Sequence, residues 1–156
     1  MRRYAAAVVA TLGAVAAVAL LGLAAHGQPG DANATMRFAA IDVFIESAEP
    51  FAAWQFELGE RNGAMTVVGV ENGDSAAFAT APYYDLVAVQ QGAADRIVVA
   101  DFSLSAAASL PVGSTRIATV HVRLSGAQAP DYELRLIAAG DAEGRPIDAA
   151  IRLSAQ

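Results

Sequence analysis

The chain of 156 residues contains neither cysteine nor lysine. Without cysteine it can have no disulfide framework, no thiolate metal site and no cysteine nucleophile. Its formal net charge is −6, and leaving out the two charges of Arg2 and Arg3 makes the remainder −8. Binding to phosphate groups needs clustered cations, which an acidic chain of this kind does not offer. The composition therefore argues against nucleic acids and anionic lipid headgroups as ligands.

Charged residues are also missing from residues 5–25, which follow Met1-Arg2-Arg3. A short basic start before an apolar run predicts a secretory signal peptide or a signal anchor, helical in either case. The 21 residues of the run favour an anchor, because signal cores span roughly 7–15 residues. The small residues around Ala24 and Ala34 favour cleavage instead. A third alternative is a buried core helix. The first two place the rest of the chain outside the cytoplasm, with residues 26–36 as a flexible linker and 37–156 as the folded domain.

A convincing amphipathic helix is also absent from the domain, whose apolar residues recur mainly with a period of two. Trp54, Phe56 and Leu58 alternate with Gln55 and Glu57, which predicts a strand with a buried face and a wet face. Arg61-Asn62-Gly63 then supplies a tight turn. Strands are predicted at 37–46, 54–58, 65–70, 83–90, 96–103, 115–125, 132–136 and 148–153. The pattern predicts an all-β, antiparallel sandwich of about eight to nine strands, preceded by the N-terminal hydrophobic helix.

Five phrases of the domain carry a family resemblance. They are Ile41-Asp42-Val43-Phe44-Ile45, Trp54-Gln55-Phe56-Glu57-Leu58, residues 67–74, residues 113–124 and residues 141–147. In this order and spacing they resemble the strands and turns of a cohesin domain. The resemblance implies a jelly-roll sandwich of the kind shared with some cellulose-binding modules. It also implies a dockerin partner, which is a small calcium-loaded helical module carried by secreted enzymes that degrade polysaccharides.

Few residues of the domain suggest a catalytic, metal-binding or sugar-binding role. His121 lies on the polar side of its predicted strand, with no nucleophile or further metal ligand at a useful spacing, so we expect a solvent-facing histidine. Asp141, Glu143 and Asp148 could offer oxygen ligands to calcium, but the spacing fails the EF-hand pattern and favours a plain hairpin turn. The alternation around Trp54 predicts a core side chain rather than a sugar platform. No catalytic residue, metal site or cofactor is predicted.

The favoured function is a non-catalytic, extracytoplasmic binding module that mediates dockerin-type assembly linked to polysaccharide degradation. Recognition through a flat sheet face is expected, and the side chains predicted to point outward from one sheet are Gln55, Glu57, Val99, Asp101 and Arg135. One alternative is a carbohydrate-binding module that stacks polysaccharide on Tyr83 or Tyr84, whichever faces out. Another is a structural envelope protein, attached to the membrane only through an uncleaved N-terminal segment.

Overall fold

The computed structural model describes residues 35–156, so the predicted signal or anchor lies outside the described residues. Seven strands form two antiparallel sheets. The strands are β1 (Met36–Ser47), β2 (Ala53–Glu60), β3 (Met65–Asn72), β4 (Arg96–Phe102), β5 (Gly113–Ser125), β6 (Tyr132–Gly140) and β7 (Ala149–Ala155). One sheet has the order β3-β5-β1-β7 and the other the order β4-β2-β6. The predicted all-β, antiparallel architecture is confirmed at this level.

Short helical elements occupy the connections. The helix α1 (Leu86–Gln90) and a 3-10 turn at Ala76–Phe78 lie between β3 and β4. A second 3-10 turn, at Ala107–Ser109, lies between β4 and β5. The predicted strand at 83–90 is wrong, because the Asp85 carboxylate accepts a hydrogen bond from Ala88 N at 2.9 Å and begins α1. An aspartate cap of this kind satisfies a free N–H of the first turn and favours helix over strand. The described residues therefore hold seven strands rather than eight or nine.

A single apolar core fills the space between the sheets, as the alternation predicts. Trp54, Phe56 and Leu58 are at most 2 % exposed, and the Trp54 ring stacks on Phe56 at 5.7 Å between centroids. Phe78 closes one end of the core against Trp54 and Phe51, with centroid distances of 6.0 and 5.8 Å. Burial of several large rings at one place stabilises the packing of the two sheets. The prediction that Trp54 is a core residue is confirmed.

The last two strands lie in different sheets. A tight turn follows β6, in which Asp141 N donates to Arg145 O at 3.0 Å and Gly140 bridges Pro146. The chain then crosses to the other sheet, where β7 pairs with the central strand β1. The predicted turn at 141–146 is thus present, but it passes the chain from one sheet to the other. No helix within residues 35–156 is long and apolar enough to span a membrane.

Candidate functional site

The outer face of the β4-β2-β6 sheet, the side turned away from the core, brings together most of the polar side chains predicted to bind a partner. Because Trp54 and Phe56 point into the core, Gln55 and Glu57 of the same strand point outward. In the register of the sheet Glu57 lies opposite Arg135 of β6. Gln55, Glu57 and Arg135 therefore share one surface, as predicted.

Two predicted members of that surface are buried instead. Val99 is 0 % and Asp101 4 % exposed. Their cross-strand partners on β2 are Phe56 and Trp54, and directly paired residues point to the same side of a sheet. The prediction that Val99 and Asp101 point outward is therefore wrong. The alternation of inward and outward side chains along β4 is offset by one residue from the predicted alternation, which moves every side chain of the strand to the opposite face. The side chains of β4 that do face outward are Arg96, Val98, Ala100 and Phe102.

One half of the outer face is charged. The Glu57 carboxylate accepts hydrogen bonds from Arg96 at 2.9 Å and from Arg135 at 2.5 Å, and Arg96 also binds Glu133 at 3.1 Å. Gly59 lies between Arg96 and Glu133 in the register, and its missing side chain leaves room for the Arg96 guanidinium. Hydrogen bonds from Arg135 and then Arg96 lower the pKa of Glu57. This charge cluster, Glu57, Arg96, Glu133 and Arg135, joins two carboxylates to two guanidinium groups and is neutral overall.

The other half is apolar and concave. It forms a trough of about 640 Å³, to whose lining the turn after β6 contributes Gly144 and Pro146. Its lining includes Ala53, Gln55, Ala100, Ile137, Ala138 and Pro146. Ile137 is an extra residue of β6, where the register with β2 shifts, and it is 39 % exposed. We call this concavity the apolar trough.

A pair of exposed aromatic rings lies beside the trough. Tyr83 bridges Ala100 through two backbone hydrogen bonds of 2.8 and 3.0 Å and thereby extends the sheet beyond β4. Its ring stacks on Phe102 with 6.0 Å between centroids and 7° between planes. Tyr83 is 63 % and Phe102 53 % exposed, whereas Tyr84 packs against the core. The prediction that one of the two tyrosines faces out is confirmed for Tyr83; the contribution of Phe102 was missed, although its alternation with Val98 and Ala100 was visible in the sequence.

Two polar atoms lie unpaired beneath this surface. Asp101 Oδ1 accepts a hydrogen bond from Phe102 N at 2.7 Å. Neither Asp101 Oδ2 nor Trp54 Nε1 has a hydrogen-bond partner among residues 35–156. Burial raises the pKa of Asp101, and the hydrogen bond from Phe102 N offsets this only in part. A carboxyl group in such surroundings favours its neutral form more than an exposed one does.

The remaining candidates lie elsewhere in the fold. His121 is on the outer side of the other sheet, with 38 % of its side chain exposed and Nε2 3.1 Å from Glu71 Oε1. Asp141 accepts hydrogen bonds from Glu143 N and Arg145 N at 3.0 and 2.8 Å, so its carboxylate organises the turn. The N–H of Arg145 is the main reason that the pKa of Asp141 is lowered. Across residues 35–156, no three His, Cys, Asp or Glu side chains gather into a group that could hold a metal ion.

Comparisons of this chain with protein-family models, curated proteins and solved structures find no match.

Proposed function

We propose that this protein is a non-catalytic, extracytoplasmic binding module of the cohesin-like class, which recognises a protein partner through the outer face of the β4-β2-β6 sheet. The observation that carries the proposal is the anatomy of that face. The apolar trough and the exposed side chains of Ile137, Tyr83 and Phe102 occupy one half of the face, and the charge cluster with its own internal ion pairs occupies the other. Interfaces between proteins commonly combine an apolar centre with a polar rim in this way.

The partner expected from the family resemblance is a dockerin-type, calcium-loaded module of a secreted enzyme, and the fold expected from it is a jelly roll. The phrases that carry the resemblance occupy β1, β2, β3 with its following loop, β5, and the turn after β6. The basic start and apolar run of residues 1–25 support a location outside the cytoplasm. The role that follows is assembly of polysaccharide-degrading enzymes without chemistry by this chain.

Capture from culture supernatant tests the proposal. We expect the immobilised full chain to retain one or a few secreted proteins in the presence of calcium and to release them to a chelator. Phe102→Asp, which places a charge beside the trough, should abolish capture. Phe38→Asp is the matched control, because Phe38 is 73 % exposed but lies on the other sheet. If no secreted protein is captured after growth on several polysaccharides, or if both variants capture normally, the proposal is wrong.

A second candidate function is carbohydrate binding, and the aromatic pair Tyr83 and Phe102 specifically favours it. Exposed aromatic rings provide apolar faces on which sugar rings stack, and the neutral charge cluster at the other end of the same face offers hydrogen bonds without selecting a charged ligand. In gels that contain soluble glucans or xylan, the full chain should then migrate more slowly. Tyr83→Ala should remove that retardation and Phe38→Ala should leave it, whereas unchanged migration of the unsubstituted chain in all the glycans would reject this function.

A further inference from the structure

One edge of β6 is open along part of its length, and the proposed binding face does not involve this edge. β6 is the last strand in the order β4-β2-β6. Near its end the edge is covered, since Ile147 N donates to Ala139 O at 3.1 Å and Pro146 bridges Gly140. Along residues 132–136, no strand of the described chain pairs with this edge. Unpaired N–H and C=O groups along such an edge are a template for a further strand.

The side chains of this open part are those of a strand that is only partly covered. Tyr132, Leu134 and Leu136 point toward the core and are partly buried against it. Glu133 and Arg135 point outward, with 45 % and 67 % of their side chains exposed. A strand added at this edge would therefore need apolar side chains on its inner side. On its outer side it would need a positive charge opposite Glu133 and a negative charge opposite Arg135.

We propose that this strand is β6 of a second copy of the same chain, in a symmetric dimer whose two-fold axis passes beside Leu134. Antiparallel pairing centred on Leu134 places Glu133 opposite Arg135 of the second copy, and Arg135 opposite its Glu133. The same register places Tyr132 opposite Leu136 on the inner side. A two-fold interface requires a surface that is complementary to itself, and this sequence order provides it.

The existing charge cluster extends this complementarity. Glu57, Arg135 and the second copy's Glu133 would follow one another across the joined sheet as negative, positive, negative. Opposite charges in directly paired positions stabilise a sheet, and like charges destabilise it. The edge of β7 is less suited, because the same symmetric pairing of β7 about its middle residue would place Arg152 opposite itself. The dimer would form one sheet of the order β4-β2-β6-β6-β2-β4 and set two copies of the candidate binding face side by side, whatever that face binds.

Sedimentation of the full chain over a wide range of concentration tests the proposal. We expect a monomer–dimer equilibrium that weakens as salt is added, because the paired charges are solvent-exposed. Glu133→Arg and Arg135→Glu should each raise the dissociation constant about tenfold or more, since each variant alone opposes like charges twice. An equimolar mixture of the two variants should form a heterodimer, because every opposed pair is then of opposite sign. Arg152→Glu, on β7, should leave the equilibrium unchanged.

The mixing experiment separates pairing from a simple loss of stability, which mixing cannot restore. A chain that stays monomeric at all concentrations would overturn the proposal. So would single variants that dimerise normally, or a mixture of folded variants that does not associate. If either variant fails to fold, hydrogen exchange of the unsubstituted chain decides instead. Amides of residues 132–136 should gain protection at high concentration while those of β7 do not, and the absence of that gain would reject the dimer.

Discussion

Asp101 is the residue whose surroundings fit its charge least well. It is 4 % exposed, faces Trp54 across the sheet and has no arginine among its hydrogen-bond partners. Because burial raises its pKa in the folded state, the folded protein binds this proton more tightly than the unfolded chain does. The contribution of Asp101 to stability is therefore most favourable at low pH and is lost as the pH rises from the unfolded pKa, about 3.9, through the raised folded one.

Asp101→Asn should accordingly stabilise the protein at neutral pH, because the amide keeps the shape and carries no charge. The difference in unfolding free energy between the variant and the unsubstituted chain should widen as the pH rises from acid and level off above the folded pKa. Urea unfolding at a series of pH values measures this difference. A gap that is constant with pH would show that Asp101 titrates normally.

Gly73 is a residue where the fold allows no side chain. A Cβ at this position would lie 2.0 Å from Arg116 O, and the neighbouring Asp74 N donates to that same oxygen at 3.0 Å. We expect Gly73→Ala to cost about 2–3 kcal/mol or more of unfolding free energy, since the backbone of β5 must move. Gly69→Ala is the control: a Cβ there meets nothing within 4 Å, and replacing a strand glycine by alanine should gain up to about 1 kcal/mol. Equal unfolding midpoints for the two variants would contradict the close approach.

At the scale of elements, Glu60 holds two loops at the end of β2. Its buried carboxylate accepts hydrogen bonds from Asn62 N at 3.0 Å, Ala64 N at 2.9 Å and Asp131 N at 3.1 Å. Burial raises the pKa of Glu60, but these N–H donors outweigh it and the pKa lies below its usual value. The stability from Glu60 is therefore present above the unfolded pKa and is lost as the pH falls through the folded one.

Glu60→Gln should cost about 1–3 kcal/mol at neutral pH, because the amide supplies one acceptor oxygen where the carboxylate has two. Thermal or urea unfolding measures the loss, and Glu49→Gln, at an exposed position in another loop, should change stability little. The loss should shrink toward acid pH. A variant as stable as the unsubstituted chain at neutral pH would show that other contacts hold these loops.

Strands were predictable where one face is much more apolar than the other. On β2 the aromatic residues mark the inner face, and on β5 the run Ala118, Val120, Val122 and Leu124 does so. On β4 both faces carry apolar residues, so alternation could not choose between Val98 and Val99. The pairing of Val99 with the buried Phe56 shows which face of β4 is the inner one. Pairing between segments that are distant in sequence cannot be predicted from the local alternation of residues.

The predicted strand at 83–90 failed for a different physical reason. The β-branched and aromatic residues there favour a strand, but the Asp85 cap stabilises one helical turn. For the candidate site, the sequence identified Gln55, Glu57, Arg135 and Tyr83. It missed Arg96, Glu133 and Phe102, because their proximity to these residues arises only in the assembled sheet.

At the scale of the whole molecule, the two sheets present different outer surfaces around one core. The four-stranded sheet has Phe38 and Val68 exposed beside His121 and Glu71. The three-stranded sheet has the apolar trough, the aromatic pair and the neutral charge cluster. We propose that a partner binds the second of these surfaces and not the first.

A pair of valines with nearly equal exposure distinguishes the two surfaces. Val98 is 41 % exposed on the three-stranded sheet and Val68 is 44 % exposed on the four-stranded sheet. The dissociation constant of a captured partner should be measured for the unsubstituted chain, for Val98→Asp and for Val68→Asp. A buried, unpaired charge at an interface costs about 2–5 kcal/mol, so Val98→Asp should weaken binding by a factor of about 30 or more while Val68→Asp binds as tightly as the unsubstituted chain. Weakened binding by Val68→Asp with normal binding by Val98→Asp would place the partner on the other sheet and contradict the account.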